Sequence, residues 1–372
     1  MIADVDAASV LAGAENGALY GTKLVWLLIL LIVPLFVIQE AAGRVGVVTG
    51  KGLGQLSRER FGSRSATFAA LPMAVANILS IAIQYTGIAV GLQILGVSPV
   101  LSIPVVFVLN LFLVYERKYS QLEKILLGIS VVIVIAFAIS GISGLSKGVE
   151  LQSFYFSTTP TFLFLIAANI GSTIEPFMLF YQPSATAEKG TEKRNLWAMR
   201  LETALGAVAS QAIIIAIGLA AIGVSPGAIG FVSPELLASS LVSVAGKYAP
   251  LLFSIGLISA GFLALIVISV GTTWGVTEAM GWSRKKRFRV YLLESIPALA
   301  ISLLPVSLIE LTLGLLALDV LVLIVPGVLL GLIASDRRVM GTFSMGGAQK
   351  TVYWLVLFVT ICTGLVSLLA VK

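Results

Sequence analysis

Glu175 and Pro176 stand side by side in the middle of an apolar run, Phe162 to Tyr181, that is long enough to span a membrane. A carboxylate in hydrocarbon costs about 2.5–3.5 kcal/mol on insertion scales, so Glu175 is expected to face protein or water. Pro176 has no N–H, which deprives the Ser172 carbonyl of its helical partner. A helix broken across Gly171-Ser172-Thr173-Ile174-Glu175-Pro176 offers carbonyl oxygens and a carboxylate at membrane depth, an arrangement tolerated only around a cavity. Broken helices of this kind form ion and substrate sites in secondary transporters. The alternative is a proline kink whose glutamate is hydrogen-bonded to a neighbouring helix.

What has to position these groups is a membrane-embedded bundle. A mean hydropathy of +1.04 and only 11% charged residues exclude a soluble globular chain. The 372 residues leave room for about eleven spans of about 20 residues each. There is no histidine, and Cys362 is the single cysteine, so imidazole ligation and thiolate clusters are both excluded. Any metal must be held by carboxylates, carbonyls, hydroxyls, water or methionine sulfur. No HExxH pattern occurs and there is no histidine to act as base for a nucleophile, so an embedded enzyme is the poorest reading, and no resident cofactor is expected. The net charge of +6 does not point to nucleic acid, because 19 of the 24 basic residues, from Lys51 to Lys350, fall in connections on one side of the bundle. That positive-inside bias puts those loops in the cytoplasm of a multi-pass cell-membrane protein and the C-terminus outside.

Taken in order, a first apolar segment runs to Tyr20 and holds Asp4, Asp6, Ser9 and Glu15 among small residues. Spans follow at about 25–48, 66–95, 99–114, 126–143 and 162–181, the last ending at Gln182-Pro183. Further spans are read at about 201–222, 251–275, 290–304, 307–334 and 353–371, with a short interfacial helix at 234–244. Glu40 and Arg44 are spaced to pair on one helical face. Thr49-Gly50-Lys51-Gly52 has the look of a phosphate loop but lacks a P-loop's strand and spacing, so it reads as a helix-ending turn. Glu40, Glu202, Glu278 and Glu294 are expected in surface or structural ion pairs, and Gln84, Gln93 and Gln211 in interhelical hydrogen bonds. Spans one and six carry acids amid small residues. Their separation by five spans suggests two inverted five-helix repeats, residues 1–145 and 160–335, plus an extra helix at 351–371, all in one transmembrane domain.

Three stretches resemble the NRAMP family of divalent-metal transporters. They are Ile38-Gln39-Glu40-Ala41-Ala42-Gly43-Arg44 running on to Phe61-Gly62, then Ser335-Asp336-Arg337-Arg338-Val339-Met340-Gly341, and the segment from Ala12-Gly13 to Trp26. The resemblance implies a LeuT-type fold with helices one and six broken. The family's Asp-Pro-Gly-Asn motif falls on Asp6-Ala7-Ala8-Ser9, and its Ala-Thr-Val-Met-Pro-His motif on Ser172-Thr173-Ile174-Glu175-Pro176-Phe177. It thus implies a metal site of Asp6, Ser9, the Ser172 carbonyl and Glu175. Methionine is replaced by Glu175 and histidine by Phe177, and the family's acidic pair in helix three falls near Ile81 and Gln84. These departures lean toward the family's magnesium-carrying branch. Gln84 and Asp319 are expected beside the pathway. The family has half a helix before its Asp motif, whereas five residues precede Asp6 here, so either the start lies upstream or the inner half of helix one is lacking.

The expected function is alternating-access transport of Mg²⁺ or Mn²⁺ by a monomer in the bilayer. A symporter of the same fold for an organic solute such as an amino acid is the alternative.

Overall fold

The computed structural model describes residues 5–116, 154–222, 248–304 and 308–370, with residues 124, 128–129, 131–132, 135 and 224 in addition. Most of the expected fifth span, and the whole interfacial helix at 234–244, lie outside the described residues. Those residues form helices α1 (Ala7–Tyr20), α2 (Val25–Thr49), α3 (Leu53–Ile94), α4 (Pro99–Glu116), α5 (Pro160–Thr173) and α6 (Pro176–Glu188). After these come α7 (Leu196–Ala220), α8 (Ala249–Met280), α9 (Arg287–Ser302), α10 (Leu308–Ser335) and α11 (Gly347–Ala370). Among the described residues there are 7 helical stretches long and apolar enough to cross a membrane, one of them the α5–α6 pair taken together. In hydrocarbon a helix satisfies its own backbone groups, which is why the apolar runs take this form.

The longest helix, α3, packs most extensively on α8 and also touches α9 and α10, while α2 lies against α6 and α7. Helix α1 is wedged between α7 and α5. Apolar side chains gain little from meeting one another inside lipid, so close helix contact depends on small residues. The α1–α7 contact shows this directly: a methyl group on Gly17 would sit 1.7 Å from the Gly218 carbonyl oxygen. On Gly13 it would sit 3.0 Å from the Ile214 carbonyl oxygen.

A buried ion network ties α2 to its neighbours. Arg44 reaches Glu40 at 3.1 Å, as their spacing predicts, and Arg200 on α7 reaches the other Glu40 oxygen at 2.8 Å. Arg44 also donates to Gln349 Oε1 at the start of α11, at 3.0 Å. Arg44 is only 3% exposed, so removing Glu40 would leave an uncompensated buried charge.

The turn at 49–52 ends α2 as expected: Gly50 is left-handed at φ 64° and donates its N–H to the Gly46 carbonyl. Three expectations need correction. Helix α3 begins at Leu53 rather than near Ala66, because Gly62 at φ 87° turns a polar leading segment into the apolar span. The sixth span continues past Gln182-Pro183 to Glu188, since Pro183 interrupts one hydrogen bond without stopping the helix. Gln93 is exposed near the end of α3 instead of bonding a neighbouring helix.

Gly17→Ala should lower stability by about 1–3 kcal/mol, the usual cost of overpacking a tight contact. Gly347→Ala, where a methyl meets open space, should be silent. Thermal unfolding of the purified protein in detergent reads both, and equal melting temperatures would contradict the α1–α7 contact.

Candidate functional site

The site grows from the first turn of α1. Asp6 is extended, at φ −107° and ψ −175°, and caps the helix as short polar residues do. Its Oδ1 accepts the Ser9 N–H at 2.7 Å and the Ser9 hydroxyl at 2.8 Å. Its Oδ2 accepts the Gln84 amide N–H at 2.8 Å. Gln84 completes the clasp by accepting the Ala7 N–H through Oε1 at 3.1 Å. Asp6, Ser9 and Gln84 are all fully buried. The carboxylate therefore rests on the positive end of α1 with three donors around it, which makes burial of its charge tolerable.

The partner surface is the break between α5 and α6. Helix α5 stops at Thr173, Ile174 and Glu175 leave the helical region, and Pro176 opens α6 with its preset φ. The Ser172 carbonyl, freed by Pro176, lies 3.5 Å from the Ser9 hydroxyl across the gap. The Thr173 hydroxyl donates to the Asn169 carbonyl at 2.6 Å and accepts from Gln211 on α7 at 3.3 Å. Gln211 is thus the interhelical contact expected of it.

The structure brings Asp6, Ser9, Gln84 and Ser172 together. Glu175 sits in the break at 2% exposure, and its side chain does not cap α6. Asp319, on α10, is 2% exposed and near enough to Asp6 for their charges to repel. Its Oδ1 has no hydrogen-bond partner among the described residues. No three acidic or cysteine side chains among the described residues gather tightly enough to hold a metal by themselves. Any cation held here would therefore draw on hydroxyl and backbone oxygens as well as carboxylates.

Other polar groups escaped the reading of the sequence. Asn16 on α1 and Asn169 on α5 exchange hydrogen bonds at 2.7 and 2.9 Å, fully inside the bundle. The available signal was one asparagine in each interrupted span. Asn110 on α4 donates to Ser269 on α8 at 3.2 Å and to Tyr291 on α9 at 3.0 Å. Glu294 is not in an ion pair: it is 4% exposed and neither carboxyl oxygen has a hydrogen-bond partner among the described residues. One helical turn separates it from the polar end of α9, enough to carry it into the bundle. Glu278 also meets no direct cation among the described residues, being held by the Ser184 hydroxyl at 2.8 Å, whereas Glu202 is exposed as expected.

A helix that opens at a buried carboxylate and faces the break in another, within a bundle of apolar helices, defines a multi-pass membrane protein with a transporter fold. The model of the Nramp family, natural resistance-associated macrophage protein-like, matches residues 1–370, and the chain belongs to that family. It is 23% identical to the divalent metal cation transporter MntH of Bacillus subtilis, over 95% of this chain and 86% of that protein. It is 26% identical to the MntH of Pectobacterium carotovorum, over 75% of this chain and 70% of that protein. In fold it is similar to the manganese transporter of Eremococcus coleocola, with a TM-score of 0.78 and 15% identity over 99% of this chain and 84% of the other. It is also similar to MhsT in complex with L-phenylalanine, with a TM-score of 0.68 and 14% identity over 100% of this chain and 98% of that one.

Gln84→Leu removes a donor from Asp6 and the acceptor of the Ala7 N–H. A loss of about 1–3 kcal/mol in thermal unfolding is expected, since both partners stay buried and unsatisfied. An unchanged melting temperature would contradict the clasp.

Proposed function

We propose that this chain moves divalent metal cations across the cell membrane by alternating access, as a secondary transporter or facilitative carrier and not as an enzyme. Asp6, Ser9, the Ser172 carbonyl and Glu175 hold the cation, with Gln84 orienting Asp6 and Asp319 beside the pathway. The observation that carries this reading is the Ser9 hydroxyl bridging Asp6 to the Ser172 carbonyl, with all three residues at most 1% exposed. Membership of the Nramp family and the likeness to divalent metal cation transporters support the substrate class.

The chemistry of the donors narrows the cargo. Asp6 and Glu175 supply two formal negative charges, enough to balance one divalent ion where screening is poor. A cation between them would also offset the repulsion between Asp6 and Asp319. All the donors are hard oxygens, and the position where the family has methionine holds Glu175, so soft metals gain no sulfur ligand. Magnesium is usually held by one or two carboxylates with several waters retained, and manganese accepts the same ligands. Mg²⁺ and Mn²⁺ are therefore the cargo we assign.

Alternating access would rest on the two inverted repeats, 1–145 and 160–335, moving around this point as a monomer, with the helix at 351–371 outside them. With those loops in the cytoplasm, the C-terminus lies outside, an orientation that the concentration of Lys and Arg on one side supports. The likeness to MhsT bound to L-phenylalanine favours a second reading, a symporter for an organic solute. Two carboxylates at the site would repel the carboxylate of such a substrate.

The test is flux into proteoliposomes with Mg²⁺, Mn²⁺, Cd²⁺ and an amino-acid mixture. Wild type should carry Mg²⁺ and Mn²⁺, Asp6→Ala neither, and Glu175→Met should lose Mg²⁺ and gain Cd²⁺. An unchanged order of metals in Glu175→Met removes Glu175 from the site. Amino-acid flux without metal flux overturns the proposal.

A further inference from the structure

A second cavity lies away from the ion site, on the face of the bundle that carries most of the basic residues. It encloses about 280 Å³ between the 50–52 turn, the end of α6, the end of α8 and the start of α9. Lys51, Arg58, Arg284 and Arg287 line it, against Glu188 and Glu278. Four positive charges less two negative ones leave a net +2.

How those charges are engaged decides what the cavity can hold. Lys51 is turned to Glu59 at 2.6 Å and so is neutralised from outside the cavity. Glu188 is shared by Arg284 at 2.9 Å and Arg287 at 3.3 Å, one carboxylate between two guanidinium groups. Glu278 accepts the Ser184 hydroxyl through Oε1 at 2.8 Å and packs over Gly52 at the α3 N-terminus, while its Oε2 has no hydrogen-bond partner among the described residues. Arg58 lies flat on Gly281, where a Cβ would come within 2.1 Å of its Nη1, and it forms no ion pair among the described residues. The Nε atoms of Arg58 and Arg287 are both buried without a hydrogen-bond partner among those residues. Unsatisfied guanidinium donors in a cavity call for an acceptor with several oxygens, and the planar fork of arginine suits phosphate.

The surroundings point the same way. The turn from α8 to α9 reads Trp282-Ser283-Arg284-Lys285-Lys286-Arg287-Phe288-Arg289, five cations in six residues directly beside a membrane span. Trp282 is 41% exposed with the Lys286 ammonium 4.7 Å from its ring, a composition that suits the interface of the bilayer. Polybasic segments and basic pockets at this level recognise anionic lipid headgroups, at about 1 kcal/mol per cation. The Gly50-Lys51-Gly52 turn, too short of features for a P-loop, forms one wall of this cavity.

We infer that the cavity lined by Arg58, Arg284 and Arg287 binds a phosphate-bearing anion, supplied by an acidic phospholipid headgroup or by a soluble phosphate. An anion there competes with Glu188, the last residue of α6, for Arg284 and Arg287. Occupancy therefore loosens the end of the broken helix from α9. The binding itself stands without the metal-transport reading.

The purified full chain is studied by native mass spectrometry in neutral detergent, with phosphatidylglycerol, phosphatidylcholine and inorganic pyrophosphate as separate probes. Wild type should retain phosphatidylglycerol or pyrophosphate in preference to phosphatidylcholine, and whichever binds identifies the source. Arg58→Gln together with Arg287→Gln should weaken that retention about 30-fold, at about fivefold per cation. Arg289→Gln, outside the cavity lining, should weaken it no more than the fivefold of a general surface charge, and Arg58→Lys, which keeps the charge, serves if the double variant fails to fold. No preference over phosphatidylcholine for either anion overturns the inference, as does equal retention by wild type and the double variant. With Arg58→Lys as the only folded variant, a loss of about twofold or more supports the site and undiminished retention overturns it.

Discussion

A backbone carbonyl released from its helix inside a membrane must find another partner, and the centre of this protein is built around that constraint. Pro176 frees the Ser172 carbonyl, and α5 ends one residue later. The gap does not face lipid, since every residue from Phe177 back to Ala167 is buried. What meets the carbonyl is the Ser9 hydroxyl, which is itself committed to Asp6. The start of α1 thus meets the α5–α6 break at this hydroxyl, which donates to Asp6 at 2.8 Å and lies 3.5 Å from the Ser172 carbonyl. A ligand that accepts neither protons nor electrons, but offers positive charge to several oxygens, can replace that donor at both ends at once.

The remaining scaffold keeps this junction in register. The glycine contact of α1 with α7 sets how deeply Asp6 sits, and Gln84 fixes which way its carboxylate turns. On the basic side, Arg44 and Arg200 share Glu40, and Arg44 also reaches Gln349, which ties α2, α7 and α11 into one block. The far half of α6 packs on α2, where Gly46 lies against Pro183 and Thr186, and buried Ser184 holds Glu278, while Glu188 at its end meets Arg284 and Arg287. The Arg284–Glu188 pair, whose arginine is exposed, contributes little, up to about 1 kcal/mol.

Much of this was legible in the residues themselves. Hydropathy fixed the span order, Glu175-Pro176 marked the break, and the spacing of Glu40 and Arg44 announced their pair. The ligand role proposed for Asp6 followed only from the resemblance, since an aspartate near a chain start has no intrinsic marker of depth. Properties that depend on helix rotation were lost. Glu294 was expected in an ion pair and lies unpaired in the interior among the described residues, while Gln93 was expected inside and lies outside. Gln93 lies on α3, whose pattern favours no single face, so periodicity cannot orient it. The start of α3 was missed because its first residues, Leu53–Phe61, are polar enough to read as a loop.

The most direct test of the central claim is to locate the cation itself, by anomalous diffraction from crystals grown with Mn²⁺. The account places one peak between Asp6 and the Ser172 carbonyl, within about 2.0–2.6 Å of an oxygen from each. A peak confined to Glu278 or Glu294, or none at the break under conditions that support Mn²⁺ flux, would contradict it.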